Sequence, residues 1–266
     1  MTKLATRIVD KPWGRLAIDP RFGVDPGRQV GEIWFESEAR EPLGVMAKYL
    51  FTTERLSIQV HPDEAQAHAR GLPHGKDECW LILDVERGAE IGIGTRRTMT
   101  ADELLDAARE GSIEQEIDWR PARRGQFIYN SARTVHALGP GLTLLEVQQP
   151  FDITYRLFDY GRPRPLHLDE SRAVVDARPH HHPADRLIDE RTSDVLVNGA
   201  FFGIAWCFRH PPELPPGEQF QLLPIDQPVA TDGNTALPGE CHLVDGDPAA
   251  LRSDGSFVLA WGPPTS

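Results

Sequence analysis

Short apolar runs that stop at glycine, proline or asparagine set the tightest limit on how this chain can fold. MAKYLFTTERLSIQVH, CWLILDV, AEIGIG, QFIYN, VHAL and LTLLEVQQ follow one another between residues 46 and 149, each rich in β-branched or aromatic residues. With 23 glycines and 23 prolines to punctuate them, such runs predict many short strands in a sandwich or barrel, not a doubly wound parallel sheet. One convincing helix interrupts them: in TMTADELLDAARE, Thr100 is a good N-cap, Glu103 sits at the capping-box position, and Leu104, Leu105 and Ala108 form an apolar face. DEAQAHARG reads as a second short helix ending at Gly71.

Residues 169–194 turn polar and lose strand periodicity, which predicts a connector, partly helical around 184–190. Beyond it VLVNGAFFGIAWCFRH, EQFQLLPI, GECHLVDG and SFVLAWG resume the β pattern. The organisation expected is therefore a domain over 1–170, a connector over 171–194 and a smaller C-terminal β domain over 195–266. The run His180, His181, His182 reads as a solvated loop.

The formal net charge of −12 argues against general nucleic-acid or anionic-membrane binding, which needs a broad basic surface. An anionic substrate would need a local cluster of positive charge. Cys79, Cys207 and Cys241 are an odd number without C-x-x-C spacing and read as reduced, buried thiols. No stretch reaches the roughly 18 apolar residues of a membrane span, and the N-terminus has no signal-peptide core, so a cytoplasmic protein is expected.

LSIQVHPD places Gln59 and His61 two apart, so on a strand both project from one face. The pair is either a hydrogen-bonded pair at a pocket rim or half of a first-row metal site that lacks a carboxylate and a second imidazole. Three later segments bear on that choice: HGKDECWLIL with Lys76 and Glu78 on one face, VHALGPGLTLLEVQQ with His136 and Glu146, and FDITYRLFDYGR with Arg156 and Arg162.

These segments, with KPWG at 11–14, GEIWFES at 31–37 and RPLHLDE at 164–170, resemble in order and spacing the class I mannose-6-phosphate isomerases of the cupin superfamily, in their short bacterial form. The resemblance covers residues 1–170 well and the remainder loosely. It implies a mainly β fold, a cupin (double-stranded β-helix or jelly-roll) barrel with a few short helices and a second, smaller β domain. It also implies one Zn²⁺ held by Gln59, His61, Glu78 and His136, and reversible aldose–ketose isomerisation of mannose 6-phosphate and fructose 6-phosphate.

By the same resemblance Glu146 is the first candidate for the base, with orientation of an arginine as its competing role. Arg156 is an active-site arginine, against simple pairing with an aspartate such as Asp152 or Asp159. Lys76 acts in catalysis and substrate binding, and Ser57, Lys76 and Arg162 form the phosphate pocket, a hydroxyl and two cations suiting a dianion. The partner implied is a small-molecule sugar phosphate, without nucleic acid or membrane, on a monomer or homodimer. Rival readings are a sugar-phosphate isomerase of different preference, a non-catalytic sugar-phosphate-binding cupin, and an iron cupin oxygenase, which normally uses more histidine.

Overall fold

The computed structural model describes residues 1–37, 43–216, 219–231, 233–244 and 246–263; Glu218, Asp245 and the last three residues of the expected C-terminal domain lie outside them. Two antiparallel sheets build the N-terminal half. The larger has seven strands in the order Arg186–Leu187, Gln126–Asn130, Glu78–Val85, Leu142–Gln148, Met46–Phe51, Val30–Glu36 and Ala5–Arg15. The smaller has five, Tyr155–Phe158, Ile58–Val60, His136–Leu138, Glu90–Thr95 and Ile117–Pro121.

Both sheets are covered on both faces, which explains why their strands read as apolar runs and not as clean alternation. Leu50, Trp80, Ile82, Ile128 and Leu144 of the larger sheet meet Ile91, Ile93 and Leu138 of the smaller in one interior cluster. The alternate residues of the larger sheet, among them Tyr49, Leu81, Phe127 and Val147, point the other way and pack on Phe202, Ile204, Trp206 and Val258 of the C-terminal half. The outer face of the smaller sheet, with Ile58, Val60 and Ala137, lies under Leu104, Leu105, Ala108 and Val174 from two helices. Each fully buried side chain of this size contributes roughly 1.5–3 kcal/mol, so neither face tolerates a register slip.

The strand period of two then sorts the polar residues. Lys48 shares its face with Leu50, Glu78 with Trp80, Glu146 with Leu144, Asn130 with Ile128, and His136 with Leu138. Each is buried within the interior between the sheets. Gln59 and Arg156, paired in register on neighbouring strands, are directed there as well, because Ile58, Val60, Tyr155 and Leu157 belong to the outer cluster.

The helix Ala101–Glu110 forms as the sequence predicts, with both hydrogen bonds of its Thr100–Glu103 capping box and a left-handed Gly111 at its end. The helix Glu64–His68 starts with an equivalent box between Asp63 and Gln66. The connector departs from expectation. Its helix is Leu168–Val174, whereas Arg186–Leu187, inside the stretch expected to be partly helical, is a strand on the edge of the seven-stranded sheet. The reason is tertiary: that edge offers unpaired backbone groups, and Arg186 and Leu187 pair with Phe127 and Gln126.

The histidine run is a loop that is solvated only in part. His181 is exposed, but the His180 side chain is 4% exposed with its Nε2 2.7 Å from Asp185 Oδ2, and His182 stacks on Tyr129 at 4.3 Å. The chain approaches so closely here that a side chain on Gly94, which has φ of 70°, would lie 2.4 Å from the His180 nitrogen.

The C-terminal half contains a six-stranded sheet in the order Thr2–Lys3, His242–Val244, Phe220–Pro224, Ser256–Trp261, Gly203–Phe208 and Asp194–Asn198. A three-stranded sheet, Asn234–Ala236, Val229–Thr231 and Arg252–Ser253, completes it. The first strand of the chain thus belongs to the last sheet, where Thr2 and Lys3 pair with Leu243 and His242. Among the described residues no helix is long and apolar enough to cross a membrane.

Candidate active site

Three strands bring His61, Glu78 and His136 together: His136 pairs in register with Gln59, two residues before His61, and Glu78 enters from the opposite sheet. All three are buried, and their ligand-type atoms lie within 4.8 Å of one another. Glu78 Oε1 is 3.3 Å from His136 Nε2, and its Oε2 is 3.6 Å from His61 Nε2.

The backbone decides which ring nitrogens are available. His61 Nδ1 lies 2.6 Å from the carbonyl oxygen of Ile153, and His136 Nδ1 lies 2.9 Å from that of Thr134. A carbonyl oxygen only accepts, so each Nδ1 carries the hydrogen and each Nε2 turns a lone pair toward Glu78. Burial, reinforced by Lys76, pushes His61 down to about 4 against the pull of Glu78, and burial lowers His136 as well. Both imidazoles are therefore neutral near pH 7, the form that binds metal.

The donor set fits a first-row divalent ion. Zinc bonds of about 2.0–2.1 Å in a tetrahedron separate ligand atoms by about 3.3 Å, close to the separations observed. His61 Nε2 is fully buried and forms no hydrogen bond, a cost that an ion would remove. Gln59 borders the group: its Oε1 accepts from Ser57 Oγ at 3.1 Å, and its Nε2 lies 3.2 Å from His136 Nε2. Rotating the amide by half a turn would present the oxygen there instead.

Beside this group two buried lysines share three carboxylates. Lys76 Nζ lies 3.1 Å from Glu78, 3.3 Å from Asp152 and 3.7 Å from Glu146. Lys48 Nζ lies 2.9 Å from Glu146 and 3.2 Å from Asp152, with the Trp34 ring 5.1 Å away. Burial opposes the charge on Lys48, but Glu146 and Asp152 outweigh it and raise its pKa well above the usual lysine range. Burial would also raise Asp152, yet Lys48 and Lys76 hold that carboxyl well below its usual range.

The two free-standing carboxylates differ. Glu146 is 6% exposed, with Oε2 accepting from Trp80 Nε1 at 3.0 Å and Oε1 against Lys48. Asp152 is 34% exposed and lines the cleft, its lysine contacts falling on Oδ1 alone.

Ser57, Gln59, Lys76, His136, Glu146 and Arg156 all line one cleft, as the sequence led us to expect. Arg162 does not line it: its guanidinium is taken up by Glu54 at 2.7 Å, Asp159 at 3.1 Å and the Arg55 carbonyl at 2.8 Å. Arg164 lines the cleft in its stead. Neither Asp152 nor Asp159 forms an ion pair with Arg156. Sequence reasoning missed Lys48, Asn130 and Arg164 altogether, and treated Asp152 only as a partner for arginine. The available signal for Lys48 was a lone lysine inside an apolar strand, MAKYLF.

Comparison with known proteins bears on what this cleft is. No family model matches the chain. The mannose-6-phosphate isomerase ManA of Bacillus subtilis is 31% identical over 255 residues, spanning 89% of this chain and 77% of that protein. The chain belongs to the mannose-6-phosphate isomerase family.

Solved mannose-6-phosphate isomerase structures share the fold over nearly the whole chain. The crystal structure of the Bacillus subtilis enzyme superposes with a TM-score of 0.79 at 24% identity, covering 97% of this chain and 98% of that one. A zinc-bound mannose 6-phosphate isomerase gives a TM-score of 0.70 at 14% identity, covering 98% and 99%. The two N-terminal sheets form the cupin barrel of this family, so the mainly β expectation holds.

Proposed function

We propose that this chain interconverts mannose 6-phosphate and fructose 6-phosphate as a zinc-dependent isomerase, with His61, Glu78 and His136 holding the ion and Gln59 completing the set through its amide oxygen. The observation that carries the reading is the pair of imidazoles whose Nδ1 hydrogens are tied to Ile153 and Thr134, leaving both Nε2 lone pairs facing one buried carboxylate. Bound by a single carboxylate and neutral ligands, Zn²⁺ keeps a charge of about +1 and favours negative charge developing on nearby substrate oxygens.

Isomerisation moves one proton from C2 to C1 of the sugar and another between the two oxygens, so a carboxylate with an open acceptor must face the substrate carbons. Glu146 was the expected base, but both its oxygens are engaged and it faces Lys48 and Trp80. In our reading Glu146 is a positioning residue that fixes the two lysines. Asp152, open on the Oδ2 side and kept ionised by those lysines, takes and returns the carbon-bound proton. Lys76, within 3.3 Å of Asp152 and beside Glu78, gives a proton to the C1 oxygen and, as the amine so formed, takes the one leaving the C2 hydroxyl, so that it ends as the ammonium it began. Ser57 and Arg156 contact the substrate from the smaller sheet.

The test is turnover of mannose 6-phosphate by protein as purified, after chelation, and after zinc is restored. Activity that disappears with chelation and returns with zinc is expected. A zinc-loaded protein that leaves mannose 6-phosphate unchanged would overturn the reading.

A further inference from the structure

We propose that Arg164, acting with Arg156, forms the cation pair that receives the substrate phosphate, and that Arg162 only braces it. This rests on the sugar-phosphate reading above and identifies which of three neighbouring arginines serves the anion.

Arg156 is the cation without a counterion. Its Nε is buried and makes no hydrogen bond, and no carboxylate lies within ion-pair distance among the described residues. Burial first, then the charge of Arg164, pushes its pKa below the usual arginine value, as expected when two guanidiniums face one cleft without an anion between them. A guanidinium left in that state is costly unless a ligand supplies the missing charge.

Arg164 is built to stay in place. Its Nε and one terminal nitrogen fork onto both oxygens of Asp159 at 2.6 Å each, and Asp159 is itself buried. The fork uses one edge of the guanidinium and leaves the other terminal nitrogen for a ligand. The segment that carries it is clipped to the Arg156 strand twice, by the His167 N–H to the Arg156 carbonyl at 2.8 Å and the Arg156 N–H to His167 Nδ1 at 3.2 Å. Two arginines are thereby held at a fixed relation before any anion arrives.

Arg162 reaches the same Asp159 through Oδ1 but does not line the cleft. Its contacts to Glu54, Asp159 and the Arg55 carbonyl, with the Tyr160 ring 5.6 Å away, leave it committed to holding that aspartate. Counting this corner, three arginines meet two carboxylates, Asp159 and Glu54, so one positive charge remains, and it faces the cleft. On a chain with a net charge of −12 this local surplus is what a dianionic phosphate needs.

The experiment measures two quantities on zinc-loaded protein: the dissociation constant for inorganic phosphate by calorimetry and the steady-state constants for mannose 6-phosphate. Arg164→Gln is expected to weaken phosphate binding and raise KM by tenfold or more, with a smaller change in kcat. Arg162→Gln is expected to stay within about threefold of the parent. Arg164→Lys, which keeps the charge beside Asp159 but loses the fork, should fall between, and it serves if Arg164→Gln does not fold. Phosphate affinity and KM unchanged in both Arg164 variants, or a larger loss in Arg162→Gln, would overturn the assignment. Calorimetry needs no turnover, so an inactive parent whose phosphate binding still depends on Arg164 would sink the isomerase reading and leave this one standing.

Discussion

Asn130 donates its side-chain N–H to Glu78 Oε1 at 2.7 Å, and the two residues are directly paired across adjacent strands deep in the barrel. The bond fixes one oxygen of the carboxylate, so the other, Oε2, is turned to His61 and Lys76. Ligand direction is thus set by a buried amide that does not line the cleft.

Asn130→Ala is therefore expected to weaken zinc binding by about 10–100-fold, the usual scale for loss of a ligand's hydrogen-bond partner. A zinc titration of stripped protein checks this, alongside the thermal midpoint of the same stripped protein. If the midpoint falls while zinc affinity stays that of the parent, Asn130 only fills space.

The two carboxylates beside the lysines give an ordered pair of kinetic outcomes. Asp152→Asn is expected to lower kcat by about 10²–10⁴-fold, the contribution typical of a positioned base. Glu146→Gln, which keeps the shape and an acceptor for Trp80 Nε1, should cost clearly less. Assays of both variants at saturating mannose 6-phosphate decide it, and a greater loss at Glu146 would return the base to that residue.

Gly94→Ala is expected to destabilise by about 2 kcal/mol or more, since it combines a positive φ with a Cβ that would meet the His180 backbone. Urea unfolding with an unchanged slope would show it as a lower midpoint. A shift under about 0.5 kcal/mol would mean that the connector yields freely at this point.

Glu240 gives a pH dependence. Burial raises its carboxyl, but Lys3, the Leu237 N–H and His242 outweigh burial and hold it at about 2, against 4.5 for a free glutamate. A carboxylate whose folded pKa is depressed stabilises the fold above about pH 4.5 and loses that contribution as pH falls toward 2. The site is open to solvent on the Lys3 side, so about 1 kcal/mol is expected after screening. The stability gap between the parent and Glu240→Gln should be full at pH 6 and shrink between pH 4.5 and 2; a gap that widens on acidification would contradict this.

Much of the site could be read from the sequence because strand periodicity carries it. Gln59 and His61 are two apart, and Glu78 alternates with Trp80, so each projects to one face whatever the rest does. Convergence of those faces was not legible from the residues, since His61 and Glu78 lie on different sheets; family resemblance supplied it. Arg162 and Arg164 show the opposite limit. They are the same residue type two positions apart in a polar loop, and only the distant Glu54 and the shared Asp159 separate them. Lys48 escaped notice because its strand is buried on both faces, which hides alternation. The strand Arg186–Leu187 owes its form to an edge some sixty residues earlier, beyond any local propensity.

The pairing of Thr2 and Lys3 with His242 and Leu243 has a consequence for the order of assembly. Every strand of the barrel is present by residue 187, whereas the first strand finds its place only when a segment about 240 residues later is available. Closing so long a loop adds little to the equilibrium cost, which grows only logarithmically, but it delays the event. During synthesis the bond between Lys3 and Glu240 cannot form until residue 240 has emerged, so the two ends of this sheet are joined only once nearly the whole chain is made.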